Sequence, residues 1–359
     1  MKLWKNSKHS TIIDKVLSEE RISEQEAVEL LKTDEINTLG FLADTVRKRI
    51  AGEEVCYSAY LNVNYTNICY LSCQLCAFSR VEGDEDAYLL SLDEIEKRVK
   101  DAYENYRINE VHIVGGVTYK APFEYILAIM SRIRDLNLGV FIKAFTAVEI
   151  DHFARQTKLP HTEVIRQLKE AGLCSMPGGG AEIFSERVRP KIAKGKISAE
   201  KWLQVHEYAH EAGMKTNATM LYGHIENEED IADHMKRLRD VQDKTNGFNA
   251  FIPLAFHPEN TELDHIPFVD AYTDLRIYAV ARIFLDNFPH LKAFWTTLGE
   301  KLAQVSLSFG VDDLGGMAID ETIMHNAGAQ TPIFLKQNEL VRIIETANRK
   351  PRLVNSSYE

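Results

Sequence analysis

Cys69, Cys73 and Cys76 stand within eight residues of one another in the stretch TNICYLSCQLC, at the spacing C-x3-C-x2-C. Thiols clustered this closely suit ligation of a metal ion or an iron–sulfur cluster better than disulfides. A closed zinc or cluster site takes four protein ligands. Here no fourth cysteine lies nearby, and the next histidine in the chain is His112. Three thiolates on a [4Fe–4S] cluster leave one iron with an open coordination position, much as catalytic zinc sites leave one position free. An open iron can bind a substrate or cofactor and pass it an electron. The competing reading is a zinc knuckle completed by a distant ligand. Cys56 and Cys174 are isolated and read as packed free thiols.

Such ligands need a scaffold, and the rest of the chain describes one. Its 359 residues, 45% hydrophobic and 26% charged, have the composition of a globular protein with a large core. The net charge of −11 argues against a nucleic-acid surface, which would cluster Lys and Arg. The opening MKLWKNSKHSTIIDKV lacks the apolar core of a secretory leader, and no run is apolar for the 18 residues a membrane span needs. The expected location is cytoplasmic, where thiols stay reduced.

The first fifty-odd residues read as helical. Ser23 and Glu26 form a capping box before an apolar run, and INTLGFLADTVRKRIAG stops near Gly52. From residue 58 a strand–loop–helix pattern repeats. The strand-like runs are SAYLNVNY, EVHIVGG, VFIKAFTA, a short CSMPGG, KTNATMLYG, FNAFIPLAF, LKAFWTTL and a weaker DDLGGMAI. Helical runs lie between them, among them SLDEIEKRVKDAYENYR with its own Ser91–Glu94 box and PFEYILAIMSRIRDL opened by Pro122. The pattern predicts an α/β fold, a (β/α)8 TIM-type barrel over residues 58–359, with an N-terminal helical extension over 1–57 packed on it. Barrel active sites lie at the C-terminal ends of the strands. The cysteine loop follows the first predicted strand and belongs at that mouth.

C-x3-C-x2-C after the first strand of a barrel resembles the radical S-adenosylmethionine (SAM) superfamily. That resemblance implies a [4Fe–4S] cluster held by the three cysteines, with the open iron chelating the amino and carboxylate groups of SAM. It also implies an electron donor such as flavodoxin or ferredoxin. Leu75 stands where the superfamily usually has an aromatic residue, and Phe78 is the candidate replacement. Gly115 and Gly116 occupy the place of the turn that approaches the SAM amino group, although Val117 replaces the acid that usually follows.

Further along, IKAFTAVEI, LCSMPGGGAEIF, TNATMLYGHIE, FIPLAFHPENT and KAFWTTLG resemble the menaquinone-pathway branch acting on futalosine-type molecules. SMPGGGAE and AFHPENT most resemble the aminofutalosine synthase family, rather than its sibling, the dehypoxanthine futalosine cyclases; deazaflavin-forming synthases are a more distant cousin. The resemblance implies addition of the 5′-deoxyadenosyl radical to the vinyl carbon of 3-[(1-carboxyvinyl)oxy]benzoate. Loss of one carboxyl then gives 6-amino-6-deoxyfutalosine, and SAM is consumed as a substrate. A dianionic substrate calls for cationic or N–H partners. Gly178, Gly179 and Gly180 are a candidate anion nest. His224 and His257, after the fifth and sixth strands, are candidate catalytic residues. Glu149 and Glu182, after the third and fourth, are candidates for the SAM ribose hydroxyls. Arg187 and Arg189 are reserve cations. From other classes, the rivals are a non-catalytic iron–sulfur carrier and a zinc-stabilised binding protein.

Overall fold

The computed structural model describes residues 7–359. Residues 1–6, with which the expected extension and the stretch MKLWKNSKHSTIIDKV begin, lie outside the described residues. Three helices come first: α1 (Ser10–Leu17), α2 (Glu24–Leu31) and α3 (Ile36–Ala51). The Ser23–Glu26 capping box forms as the sequence predicts, and Gly52 ends α3 with φ 63°. The chain continues through β1 (Glu54–Ser58), β2 (Tyr60–Asn64), α4 (Leu92–Tyr106), β3 (Glu110–Val114), α5 (Phe123–Asp135) and β4 (Phe141–Ala144). Next come α6 (Ala147–Thr157), α7 (His161–Ala171), α8 (Arg189–Ile192), α9 (Ala199–Glu211), β5 (Thr216–Tyr222), α10 (Glu228–Thr245) and β6 (Phe248–Ala255). The last elements are α11 (Ala271–Phe284), β7 (His290–Leu291), α12 (Trp295–Leu298), α13 (Glu300–Ser306), β8 (Asp313–Gly316), α14 (Ile323–Asn326), α15 (Gln337–Thr346) and β9 (Lys350–Leu353).

The strands make three parallel three-stranded sheets, ordered β8-β1-β9, β2-β3-β4 and β5-β6-β7. Single parallel bridges link them: Lys143 to Ser175, Met176 to Thr216, Lys292 to Asp313 and Leu61 to Ile319. The predicted fourth strand, CSMPGG, is present only as two of these bridges, because two glycines and a proline leave little to sustain a ladder. The predicted third strand is shorter than VFIKAFTA. Thr146 turns the chain there, its hydroxyl capping α6 with Glu149 in a capping box.

β1 and β9 were not expected from the sequence. They pair with each other in parallel, Glu54 against Lys350 through Tyr57 against Leu353. β1 also pairs with β8, so the stretch assigned to the helical extension contributes a strand to the sheet.

The extension has a physical reason. In α11, residues 274–275 and 277–284 are buried on nearly every side, and a helix apolar all round needs cover on its outer face. α3 packs along α11, while α2 touches both α10 and α11.

The chain's last residues lie against the opposite end of the strands from the cysteine loop. There the Ser356 amide donates to Glu110 at 2.7 Å and the Tyr358 hydroxyl to Asp313 at 2.7 Å.

Candidate active site

The cysteines lie on the loop between β2 and α4, and that loop is clipped at both ends. The Cys69 amide donates to the Arg80 carbonyl (2.9 Å), and the Arg80 amide donates to the Asn67 carbonyl (2.9 Å). The Arg80 guanidinium then reaches back to the carbonyls of Ala77 and Ser79, 3.0 Å each, while also holding Asp86. All three cysteines open onto one cavity of about 360 Å³, within the usual size of small-molecule sites. Cys73 is buried, and Cys69 and Cys76 are half-buried. Burial pushes the free Cys73 thiol up to about 11 and also raises Cys69. Leu75 and Phe78 line the same cavity. Cys56 and Cys174 lie elsewhere, one buried and one exposed.

Gly115 and Gly116 line the wall beside the cysteines. A Cβ on Gly116 would collide with the Ile68 carbonyl, so only glycine lets the cysteine loop lie this close to β3. Glu149 lines the cavity beside this turn and is almost wholly buried. Its carboxylate accepts from the Gly115 amide (3.1 Å), the Tyr65 hydroxyl (3.1 Å), and the Thr146 amide and hydroxyl (2.8 Å each). Burial nonetheless raises its pKa to about 7, against these four bonds.

Across the cavity, the carbonyls of Gly178, Gly179 and Gly180 are taken by the Thr219 hydroxyl (2.6 Å), the Trp202 indole (3.2 Å) and Arg189 (2.9 Å). Their three N–H groups have no protein acceptor among the described residues. A Cβ on Gly178 would stand 2.5 Å from the Thr219 nitrogen, which explains a glycine at that close approach. Arg189 is buried and also binds the carbonyls of Ala181 and Ile197, so it braces the glycine turn and is not solvated. Arg187 pairs with Asp230.

Glu182 lines the cavity and pairs with Lys196, a cation that sequence reasoning missed. Lys196 is held protonated by Glu182 and by its closeness to Cys73, against the opposing effect of burial.

The two histidines part company. His257 lines the cavity, with its Nε2 3.0 Å from the Thr297 carbonyl and its Nδ1 buried without a partner. Burial holds its pKa below the ordinary histidine value. His224 does not line the cavity, a correction to the expectation from its place after β5. Its ring turns back into its own loop, with Nε2 3.1 Å from the Leu221 carbonyl and Nδ1 2.7 Å from Glu226.

Below the mouth the cavity is lined by Tyr60, Asn62, His112, Lys143 and Asn217, none of which motif reading singled out. Their common signal is the period of two that strands impose on inward-facing residues.

These features fit a [4Fe–4S] cluster with SAM beside it. Three thiols share one cavity wall, with glycine turns that a Cβ would fill and buried polar atoms that lack partners. Among the described residues no three His, Cys, Asp or Glu side chains converge as a single ion requires.

The chain matches the family model of the radical SAM superfamily over residues 63–238 and that of the CofH/MqnC C-terminal region over 245–359. It is 48% identical over 344 residues to the aminodeoxyfutalosine synthase of Thermus thermophilus, covering 95% of this chain and 92% of that one. It is 38% identical over 322 residues to the 5-amino-6-(D-ribitylamino)uracil–L-tyrosine 4-hydroxyphenyl transferase of Methanopyrus kandleri, covering 88% and 87%. Among solved structures, methylornithine synthase (PylB) superposes with a TM-score of 0.75 at 16% identity, over 96% of this chain and 98% of that one. At that identity the likeness is one of fold, and the fold is of the TIM type.

Proposed function

The chain belongs to the radical SAM superfamily, and from that premise we propose that it is an aminofutalosine synthase. It joins the 5′-deoxyadenosyl group of SAM to the vinyl carbon of 3-[(1-carboxyvinyl)oxy]benzoate. Loss of one carboxyl yields 6-amino-6-deoxyfutalosine, with methionine released. The observation that carries the reading is that Cys69, Cys73 and Cys76 face the same cavity as the Gly115–Gly116 and Gly178–Gly180 turns. The choice of reaction within the superfamily is supported by the 48% identity to a named aminodeoxyfutalosine synthase.

In this reading the three cysteines hold a [4Fe–4S] cluster, which when bound supplies the low-potential electron that cleaves SAM. Gly115 and Gly116 let SAM approach the backbone. The free N–H groups of Gly178, Gly179 and Gly180 receive a carboxylate. Glu182 is the candidate for the SAM ribose hydroxyls, and Glu149 fixes the Gly115 turn. His257, with its unpartnered Nδ1, lies beside the organic substrate. The mostly apolar walls exclude water from a radical that water-exposed chemistry would quench. Reduction comes from a small electron-transfer protein such as flavodoxin or ferredoxin.

The parallel sheets and the single bridges between them are read as one (β/α)8 barrel from about residue 58, with residues 1–57 as an extension that lends β1 to it. Among the described residues no helix is long and apolar enough to cross a membrane.

The test is an anaerobic assay of the reconstituted, dithionite-reduced protein with SAM labelled in its adenosine moiety. The label should enter aminofutalosine, with free 5′-deoxyadenosine a minor by-product. Release of deoxyadenosine in step with cyclisation of dehypoxanthine futalosine would replace this reading with that of the sibling cyclase. Turnover of tyrosine with 5-amino-6-(D-ribitylamino)uracil would replace it with the transferase's.

A further inference from the structure

Asn62 on β2, His112 on β3 and Lys143 on β4 are direct register partners across three adjacent strands. All three line the cavity, and Asn217 of β5 joins them. They form a polar belt at the cavity's lower end. Asn64 at the end of β2, Gly115 just past β3 and Thr146 just past β4 come later, toward the cysteine loop. Two side-chain atoms of the belt, His112 Nε2 and Asn217 Oδ1, are buried with no hydrogen-bond partner. Each such orphan costs stability unless a ligand completes it. The third belt member brings charge. Lys143 Nζ stands 2.5 Å from Glu110 and 3.0 Å from the Ser356 hydroxyl, leaving one of the three ammonium donors to spare.

We infer that this belt binds the ring carboxylate of the aryl substrate; the inference rests on the function proposed above. The reacting vinyl carbon must lie near the mouth, where the cysteines and glycine turns are. The benzoate ring hangs from the far side of the ether oxygen, so its carboxylate reaches furthest down. A carboxylate accepts from His112 Nε2–H and from the Asn217 amide turned to present its NH2, and the spare N–H of Lys143 is a third donor in the same row. A ring hydroxyl would satisfy the same two orphans as a donor to Asn217 and an acceptor from His112. The lysine in the same row favours the anion.

The experiment uses the anaerobic holoenzyme with cluster and SAM, left unreduced so that binding is read without turnover. Calorimetry measures Kd for 3-[(1-carboxyvinyl)oxy]benzoate and for its analogues bearing a plain phenyl ring or a 3-hydroxyphenyl ring. The wild type should bind the carboxylate form most tightly. His112→Leu and Asn217→Asp should each weaken it about 10- to 100-fold, as loss of a hydrogen bond to a charged group does. Both should change the phenyl analogue by less than about 3-fold, a difference that general damage to the pocket does not produce. Asn217→Asp keeps the side chain's shape, which covers the case in which His112→Leu fails to fold. Equal losses for all three compounds, or tightest wild-type binding of the hydroxyl analogue, would overturn the inference. Subsequent reduction with dithionite tests the reaction separately: selective binding without product would sink the proposed function and leave the carboxylate seat standing.

Discussion

The Gly115 amide donates to the Glu149 carboxylate at 3.1 Å, tying the end of β3 to the first turn of α6. One carboxylate thus serves both as the capping-box partner of Thr146 and as the anchor of the glycine turn beside the cysteines. Burial raises its pKa from the ordinary 4.5 to about 7. Between those values the folded chain holds a proton that the unfolded chain has released, so this group makes stability fall as pH rises across the window. Glu149→Gln cannot titrate and should flatten that segment of a plot of Tm against pH. The variant should also be less stable by about 1–3 kcal/mol above pH 7, because an amide nitrogen would face an N–H donor. An unchanged slope would assign the pH dependence to other groups.

The cysteine assignment is tested by metal content. Anaerobically reconstituted wild-type protein should bind about four irons per chain and absorb broadly in the visible, fading on reduction. Cys69→Ala, Cys73→Ala and Cys76→Ala should each lose the cluster, whereas Cys56→Ala and Cys174→Ala should keep it. Full retention in Cys76→Ala would refute the ligand set.

Lys196 and Glu182 form an ion pair with little solvent contact beside Cys73. Lys196→Met leaves a half-buried carboxylate unpaired and should destabilise the fold by about 1–3 kcal/mol. Glu182→Gln with Lys196→Met together should recover much of that loss, since neither charge is then stranded. A double variant as unstable as the lysine variant would show that the pair is not the cause.

Much of this was legible from the chain, and what was not has identifiable causes. The Ser23–Glu26 and Ser91–Glu94 capping boxes are local signals and formed where expected. So did the runs behind β2, β3, β5 and β6, whose apolar, β-branched character persists over several residues. β9 reads KPRL and lies at the sheet's edge, so neither alternation nor hydrophobicity announced it. The cysteines and glycine turns were legible because their chemistry depends on residue type at fixed spacing. Lys196, Tyr65 and the belt around His112 were not, because their roles arise from strands brought together by the fold. His224 shows the opposite failure: its position after a strand suggested the cavity, but Gly223, with φ 89°, turns the chain so that the ring serves its own loop.

His257 is the histidine that the cavity keeps. Its Nε2 is committed to the Thr297 carbonyl, which leaves Nδ1 as a buried acceptor with no protein donor. Burial holds its pKa below the ordinary 6.5, so at neutral pH the ring is uncharged and Nδ1 is free to accept a hydrogen bond. On the proposed function, which sets this side chain against the organic substrate and not the iron, His257→Ala should lower turnover while iron content and SAM binding stay intact. His257→Gln, which can keep a polar contact to Thr297, should recover part of the rate. If instead the alanine variant loses SAM binding in proportion to activity, His257 belongs to the SAM side of the cavity, and the substrate lies further from β6 than proposed.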